Sequence, residues 1–207
     1  MSHNNVVIVP GWHGSGPTHW QTIWQQNHPE YVRVCQKDWQ STHRADWVLA
    51  VNRTVLSLSG NVVLVAHSLG CLAVVWWAAS RTDCARRVDG AVLVAPPDLS
   101  SAPGALPALS SFTPLPLARL PFPSLLVASE NDPFVSIEAA ARFARQWGSE
   151  FVNEGAAGHI NVDSGHGAWP EGERRFQRFL DAVSATSSAA SATPPPGRVT
   201  TTQIGHS

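Results

Sequence analysis

Apolar runs alternate along this chain with segments that carry apolar residues at helical spacing. The runs predict strands buried on both faces of a sheet, because apolar and polar positions do not alternate within them. Four apolar runs and two shorter segments qualify, at residues 6–9, 31–35, 61–66, 88–95, 122–129 and 150–153. Helices are expected between and after them, over residues 18–27, 45–58, 71–80, 136–148 and 171–184. Thr18 is expected to cap the first helix. This alternation predicts an α/β protein with a mostly parallel sheet and helices on both faces.

Two segments interrupt the alternation. Residues 96–121 are rich in Pro, Ser and Ala and predict an irregular excursion, too short to build a large helical lid. Residues 185–207 contain Ser-Ala-Thr repeats and three consecutive prolines, and they predict a disordered tail. We therefore expect one compact domain over residues 1–184, with little or no lid, followed by a tail over residues 185–207.

Composition and charge exclude several classes of function. The 14 basic and 15 acidic residues nearly cancel, so no basic surface for nucleic acid is indicated. No apolar run approaches the roughly 18 residues of a membrane helix, and residues 1–5 lack the pattern of a secretory signal. The three cysteines form no Cys-x-x-Cys pair, which fits reduced thiols. We expect a cytoplasmic protein that does not bind nucleic acid or membranes.

The segment that follows the third predicted strand carries the strongest chemical signal. Residues 66–70 read Ala-His-Ser-Leu-Gly, a small-x-Ser-x-Gly pattern between a strand and a helix. Such a turn is a nucleophile elbow, which presents the serine hydroxyl at the start of a helix. Ser68 is therefore the candidate nucleophile, and the Leu69 N–H is a candidate oxyanion donor. The alternative is a serine that occupies this turn by chance.

A serine nucleophile needs a base and an orienting acid. In hydrolases of this architecture the acid and then the histidine follow the serine along the chain. Asp132 lies on a turn after the fifth predicted strand, and we favour it over Asp98, which lies in the Pro-rich stretch. His159 follows a glycine in the loop after the last strand, and we favour it as the base over the more distant His166.

A glycine-rich loop at residues 11–17 follows the first strand and suits the second oxyanion donor. The backbone N–H of Trp12 is the first choice, and that of His13 is the next. A phosphate-binding loop is disfavoured because the glycines run Gly-x-x-Gly-x-Gly, with a bulky Trp12 between them. We expect no bound cofactor.

A metal site is the weaker interpretation of the histidine loop. His159, Asp163 and His166 lie in a glycine-rich segment rather than on one helix face. No further ligand cluster supports these three residues, so we expect no metal.

Aromatic residues near these loops suggest how a pocket is built. Trp12 and Trp20 follow the first strand, Trp39 follows the second, and Trp169 follows the histidine loop. These side chains either wall an apolar pocket or pack helices on the sheet. The substrate-pocket residues that we predict are His13, Trp39 and Trp169.

Taken together, the motifs resemble one known family. They are Pro10-Gly11-Trp12, Gly16-Pro17, His19-Trp20-Gln21, Asp38-Trp39, residues 66–71, residues 128–133 and residues 158–161. In this order they look like the small serine hydrolases related to retinoblastoma-binding protein nine, and in particular their bacterial YdeN-like branch. The resemblance covers roughly residues 4 to 183.

This resemblance implies an α/β-hydrolase fold in which Ser68, Asp132 and His159 form the catalytic triad. It does not carry over the Leu-x-Cys-x-Glu partner motif that gave the family its name. In residues 69–73 the glutamate of that motif is missing.

These observations lead to one main hypothesis and two alternatives. We predict a serine hydrolase that cleaves small esters through an acyl-enzyme on Ser68, with amides as a second substrate class. The first alternative is a binding or scaffold protein that keeps the hydrolase fold with little turnover. The second is a nucleotide-binding oxidoreductase, which the glycine pattern disfavours.

Overall fold

A six-stranded parallel sheet forms the centre of the computed structural model, which describes residues 4–80, 84–100 and 107–191. The strands are β1 (Asn5–Val9), β2 (Val32–Arg33), β3 (Val62–His67), β4 (Val88–Val94), β5 (Ser124–Ala128) and β6 (Glu150–Asn153). They lie in the order β2-β1-β3-β4-β5-β6, and each neighbouring pair is parallel. Every residue of β3 and β5 is buried, as their continuous apolar sequences require. The predicted parallel sheet is confirmed.

Helices cover both faces of the sheet. They are α1 (Trp20–Asn27), α2 (Arg44–Ser57), α3 (Leu69–Ser80), α4 (Ile137–Trp147) and α5 (Pro170–Ser191). The apolar faces of α2, α3 and α4 join one core cluster, and those of α1 and α5 join the other. None of the helices in the described ranges is both long and apolar enough to cross a bilayer.

Most element boundaries shift by one or two residues from the sequence expectations, and three of the differences affect the site or the tail. His19, not Thr18, caps α1, because its Nδ1 accepts a hydrogen bond from the backbone N–H of Gln21. Helix α3 begins at Leu69, directly after the nucleophile candidate, rather than at Cys71. Helix α5 continues to Ser191, through a stretch rich in alanine, the residue with the highest helix propensity. The expected boundary at residue 184 therefore falls inside α5, and residues 192–207 of the expected tail lie outside the described residues.

The irregular stretch between β4 and β5 is anchored to the core. Its described part includes a short 3-10 helix, Pro107–Phe112, in which Leu109 and Phe112 are buried. The Trp76 indole donates a hydrogen bond to the carbonyl of Phe112, which ties this stretch to α3. Residues 101–106 lie outside the described part, and the remainder contains no α-helix that could cap the sheet edge.

Candidate active site

Ser68 occupies the sharp turn between β3 and α3. Its φ of 52° lies in the left-handed region, which a residue other than glycine adopts only where its surroundings enforce it. The Ser68 N–H donates to the carbonyl of Val94 at 2.9 Å, which ties the turn to β4. A Cβ at position 70 would collide with the carbonyl oxygens of Val9 and Pro10, so this turn requires Gly70. The predicted nucleophile elbow is thus present, with the serine at its apex.

Three of the predicted side chains form a continuous hydrogen-bonded chain. His159 Nε2 lies 2.8 Å from Ser68 Oγ. His159 Nδ1 lies 3.0 and 2.9 Å from the two carboxylate oxygens of Asp132. A carboxylate accepts hydrogen bonds, so Nδ1 carries the proton and Nε2 is left to accept from the serine hydroxyl. This arrangement has the polarity that a serine nucleophile and its base require.

The acid and base loops are tied to each other by hydrogen bonds of Ser129 and Asn131. We call residues 129–134, which follow β5, the acid loop, and residues 154–161, which follow β6, the base loop. The Ser129 hydroxyl donates to Asn131 Oδ1 at 2.9 Å, and the same oxygen accepts the Gly158 N–H at 2.6 Å. The backbone on either side of the triad is therefore fixed by local hydrogen bonds as well as by the sheet.

The alternative acid and base make other contacts. Asp98 accepts two hydrogen bonds from Ser100 and lies 3.4 Å from the guanidinium of Arg142. His166 lies with its Nδ1 3.1 Å from the hydroxyl of Ser164. Within the described residues, no group of three or more His, Cys, Asp or Glu side chains could hold a metal ion.

Two backbone N–H groups beside Ser68 suit an oxyanion. In the described parts of the chain, the N–H groups of Trp12 and Leu69 have no hydrogen-bond acceptor. The His13 N–H, the second choice from sequence, donates to the carbonyl of Trp39 at 3.3 Å. A Cβ at Gly11 would lie 2.9 Å from the Cβ of Ser68, so the loop passes directly over the elbow. This close contact explains why position 11 is a glycine, and it brings the backbone of the loop next to Ser68.

A cavity of about 210 Å³ opens onto Ser68 and His159. Its apolar walls come from four segments of the chain and include Trp12, Leu69, Pro97, Leu109 and Phe134. The Phe134 ring meets the His159 ring edge-on, at 4.6 Å between centroids. We call this space the Ser68 cavity.

Comparison with known proteins decides the family. The model of the family described as serine hydrolase matches residues 6–178. This chain belongs to the serine hydrolase family. Among curated proteins, none matches it.

Solved structures place the serine hydrolase near the YdeN-like proteins. A protein described as a YdeN-like hydrolase, from Pectobacterium atrosepticum, is 31% identical, with a TM-score of 0.79 over 87% of this chain and 92% of that one. The ydeN gene product of B. subtilis is 20% identical, with a TM-score of 0.69 over 86% and 99%. Carboxylesterase CesB of B. subtilis, at 15% identity and a TM-score of 0.59 over 86% and 84%, shares the fold. The family resemblance seen in the sequence is confirmed.

Of the three predicted pocket residues, one lines the Ser68 cavity of this serine hydrolase. His13 forms part of its wall, stacked on Trp12 at 4.5 Å between ring centroids. Trp39 lies outside that lining and borders a neighbouring cavity. Trp169 is 7% exposed and packs in the core, where its ring centroid is 5.1 Å from that of Trp20. Trp169 therefore holds α5 against α1 instead of facing substrate.

His67 contacts the backbone of His159, the candidate base. It lies buried in β3, and its Nε2 lies 3.0 Å from the backbone carbonyl of His159. A carbonyl only accepts, so this nitrogen carries the proton and donates. Burial lowers the pKa of His67 well below its usual value and lowers that of the adjacent His19 to about 4. Both rings are thus neutral near neutral pH.

This contact predicts that the N–H of His67 positions the base. We expect His67→Met to lower kcat/KM for a small ester about 10-fold, mainly through kcat, because the His159 backbone loses its donor. His67→Gln keeps an N–H at similar reach and is expected to stay within about threefold of the wild type. Steady-state kinetics on both variants check this. Equal losses in the two variants would show that the ring only fills space.

Asp132 and Asp98 can be separated by a matched pair of amide substitutions. We expect Asp132→Asn to lower kcat by roughly 10⁴-fold, because an amide donor facing Nδ1 puts the proton on Nε2. That nitrogen can then no longer accept the proton of Ser68. Asp98→Asn is expected to lower kcat by less than about 10-fold in folded protein. Ester turnover, with thermal unfolding of both variants as the control for folding, gives the comparison. A larger loss in Asp98→Asn would assign the acid to Asp98.

Proposed function

We propose that this serine hydrolase cleaves small carboxylic esters through an acyl-enzyme on Ser68. The single observation that carries the proposal is the hydrogen-bonded chain from Ser68 Oγ through His159 to Asp132, with a 2.8 Å contact at the serine. The supporting observations are the unpaired N–H groups next to the nucleophile and the cavity that opens onto it.

The reaction proceeds in two halves. Ser68 Oγ attacks the carbonyl carbon while His159 Nε2 takes its proton, and Asp132 stabilises the imidazolium that forms. The negative charge on the carbonyl oxygen is met by the N–H groups of Trp12 and Leu69. His159 then protonates the leaving alcohol, and water repeats the sequence to release the acid and restore the serine.

The dimensions of the Ser68 cavity favour short acyl groups. Its volume of about 210 Å³ is below the range of a typical drug-sized site. Most of the surface that its walls expose is apolar, which suits an alkyl chain. The structural relative named as a carboxylesterase is consistent with an ester substrate. Esters are therefore the proposed substrates, ahead of amides.

A series of 4-nitrophenyl esters tests the substrate class. We expect kcat/KM to be highest for acetate to butyrate and to fall at least about 10-fold by decanoate, because the longer chain does not fit the cavity. Release of 4-nitrophenol reports the rate, and Leu109→Ala provides a matched enlargement of the wall. If decanoate is the best substrate of the wild type, the small-acyl proposal is wrong. If no ester is hydrolysed, the esterase proposal fails.

We also propose a location and a domain extent for this protein. A cytoplasmic location is supported by the free thiols of Cys35, which is exposed, and Cys71, which is buried. A catalytic domain over residues 1–184 is supported by Phe176 and Val183 of α5, which pack into the core, while α5 itself continues to Ser191.

A further inference from the structure

A second cavity adjoins the Ser68 cavity on the other side of the glycine-rich loop. It measures about 310 Å³ and shares His13 and Gly14 with the Ser68 cavity. Its remaining walls include Arg33, Trp39, Ser15 and Gly16, and we call it the Arg33 cavity. The two cavities lie on one surface, at the carboxyl ends of the strands, where ligands of α/β sheets bind.

Arg33 is a half-buried cation without a carboxylate partner. Its Nε donates to Gln25 Oε1 and its Nη2 to Thr22 Oγ1, both at 2.7 Å. In the described residues no Asp or Glu lies within ion-pair distance of it. Its Nη1 has no hydrogen-bond acceptor among the described residues. This nitrogen is not fully buried, so it remains open to solvent. The guanidinium is held rigidly by two neutral groups and keeps one nitrogen free.

The surroundings of Arg33 favour an anion on the side of the Arg33 cavity, whereas the neighbouring groove that Arg33 also borders is lined by Asp38 and Asp46. No acidic residue lines the Arg33 cavity. The backbone N–H groups of Ser15 and Gly16, on its wall, also lack an acceptor within the described part of the chain. The charge of Arg33 also acts on the Ser68 cavity, which His19 lines. The pKa of His19 is lowered mainly by burial and next by the positive charge of Arg33. A cavity with free donors and a fixed positive charge suits a carboxylate.

The sheet gives the approximate span between Arg33 and the nucleophile. Arg33 ends β2, and Ser68 follows β3, with β1 between these two strands. Arg33 and Val65 both pair with Ile8 of β1, so Arg33 is level with Val65, and Ser68 lies three residues further along. With about 4.8 Å between neighbouring strands and about 3.3 Å per residue along them, the Cα atoms of Arg33 and Ser68 are roughly 14 Å apart. A carboxylate several bonds away from the ester carbonyl could reach Arg33 while the carbonyl lies at Ser68.

We infer that the Arg33 cavity binds a carboxylate on the alcohol part of the ester that Ser68 attacks. The substrates would then be esters of small acids with carboxylate-bearing alcohols. This inference rests on the proposed esterase function and deepens it, because it adds the charge of the leaving group to the size of the acyl group.

Two acetate esters that differ only in charge test the inference. They are the acetyl esters of 6-hydroxyhexanoate and of 6-hydroxyhexanamide, whose carbon chains are the same. We expect the wild type to prefer the carboxylate ester by about 10-fold in kcat/KM, because a charge-assisted hydrogen bond contributes more than a neutral one. Arg33→Gln should bring this ratio close to one, chiefly by raising KM, and Arg33→Lys should keep part of the preference.

Arg53→Gln is the matched control. Arg53 is an exposed arginine on a neighbouring groove that Arg33 also borders, so its substitution removes the same charge nearby. It should leave the ratio unchanged, and the unfolding temperatures of both variants serve as the control for folding. A wild-type ratio near one, or equal effects of Arg33→Gln and Arg53→Gln, would overturn the subsite. If neither ester is hydrolysed, the esterase function fails and the subsite fails with it.

Discussion

Ser68→Ala is expected to lower kcat/KM for a 4-nitrophenyl short-chain ester by at least about 10⁴-fold. The substitution removes the oxygen that forms the acyl bond but leaves the oxyanion donors and the cavity in place. The residual rate is then the small acceleration that binding and the oxyanion donors provide. The measurement is ester turnover by purified wild-type and variant protein, with unfolding temperatures as the control for structure.

Ser110→Ala provides the matched control for this loss. Ser110 is exposed on the same short 3-10 helix whose Leu109 lines the Ser68 cavity. Its hydroxyl makes no contact that the mechanism uses, so the variant should keep wild-type activity within about twofold. Turnover by Ser68→Ala that stays within tenfold of the wild type would place the nucleophile elsewhere.

His159→Ala is expected to cause the second large loss, again at least about 10⁴-fold in kcat. Without the imidazole, Ser68 has no acceptor for its proton, and the leaving alcohol has no donor. His166→Ala removes another imidazole, which lies seven residues after His159 in the chain. This variant is expected to keep kcat within about threefold of the wild type. Both variants are compared by ester turnover at the same pH. A greater loss in His166→Ala would reassign the base.

The turn that holds Ser68, the proposed nucleophile, was predictable because its sequence signal is contiguous. A sharp turn from a strand into a helix requires small residues on either side of the serine, and Ala66 and Gly70 meet this requirement. The structure shows the collision that excludes a side chain at position 70. Asp132 and His159 could be proposed as acid and base because parallel strands bring their carboxyl ends to one edge. That rule needs the strand boundaries, and these were recognisable from the apolar runs.

The pocket walls were harder to predict for a physical reason. A tryptophan that lies close to the base loop in the sequence can pack on either face of the sheet. Trp169 immediately precedes α5, and its ring turns into the core beside Trp20. Pro97 and Leu109, which do line the Ser68 cavity, come from the irregular stretch between β4 and β5, where no periodicity indicates a buried face. Phe134 could have been suspected, since it lies two residues after the predicted acid.

The hydrogen bonds around the proposed triad were also not recognisable in advance. The link from Asn131 to the N–H of Gly158 joins two loops that are 27 residues apart in the chain. The contact between His67 and the His159 carbonyl spans 92 residues. Both depend on the order of β3, β5 and β6 in the sheet, which an amino-acid pattern restricts but does not specify. Residues next to the motifs therefore carry roles that the motifs do not reveal.

The most direct test of the account is covalent labelling of the nucleophile by a fluorophosphonate. Intact-protein mass spectrometry should show one phosphonyl adduct on the wild type, and peptide mapping should place it on Ser68. The adduct should be absent from Ser68→Ala and should form far more slowly on His159→Ala, both with the wild-type fold. A wild-type protein that is folded but unlabelled, or an adduct that persists in Ser68→Ala, would contradict the proposed acyl-enzyme mechanism.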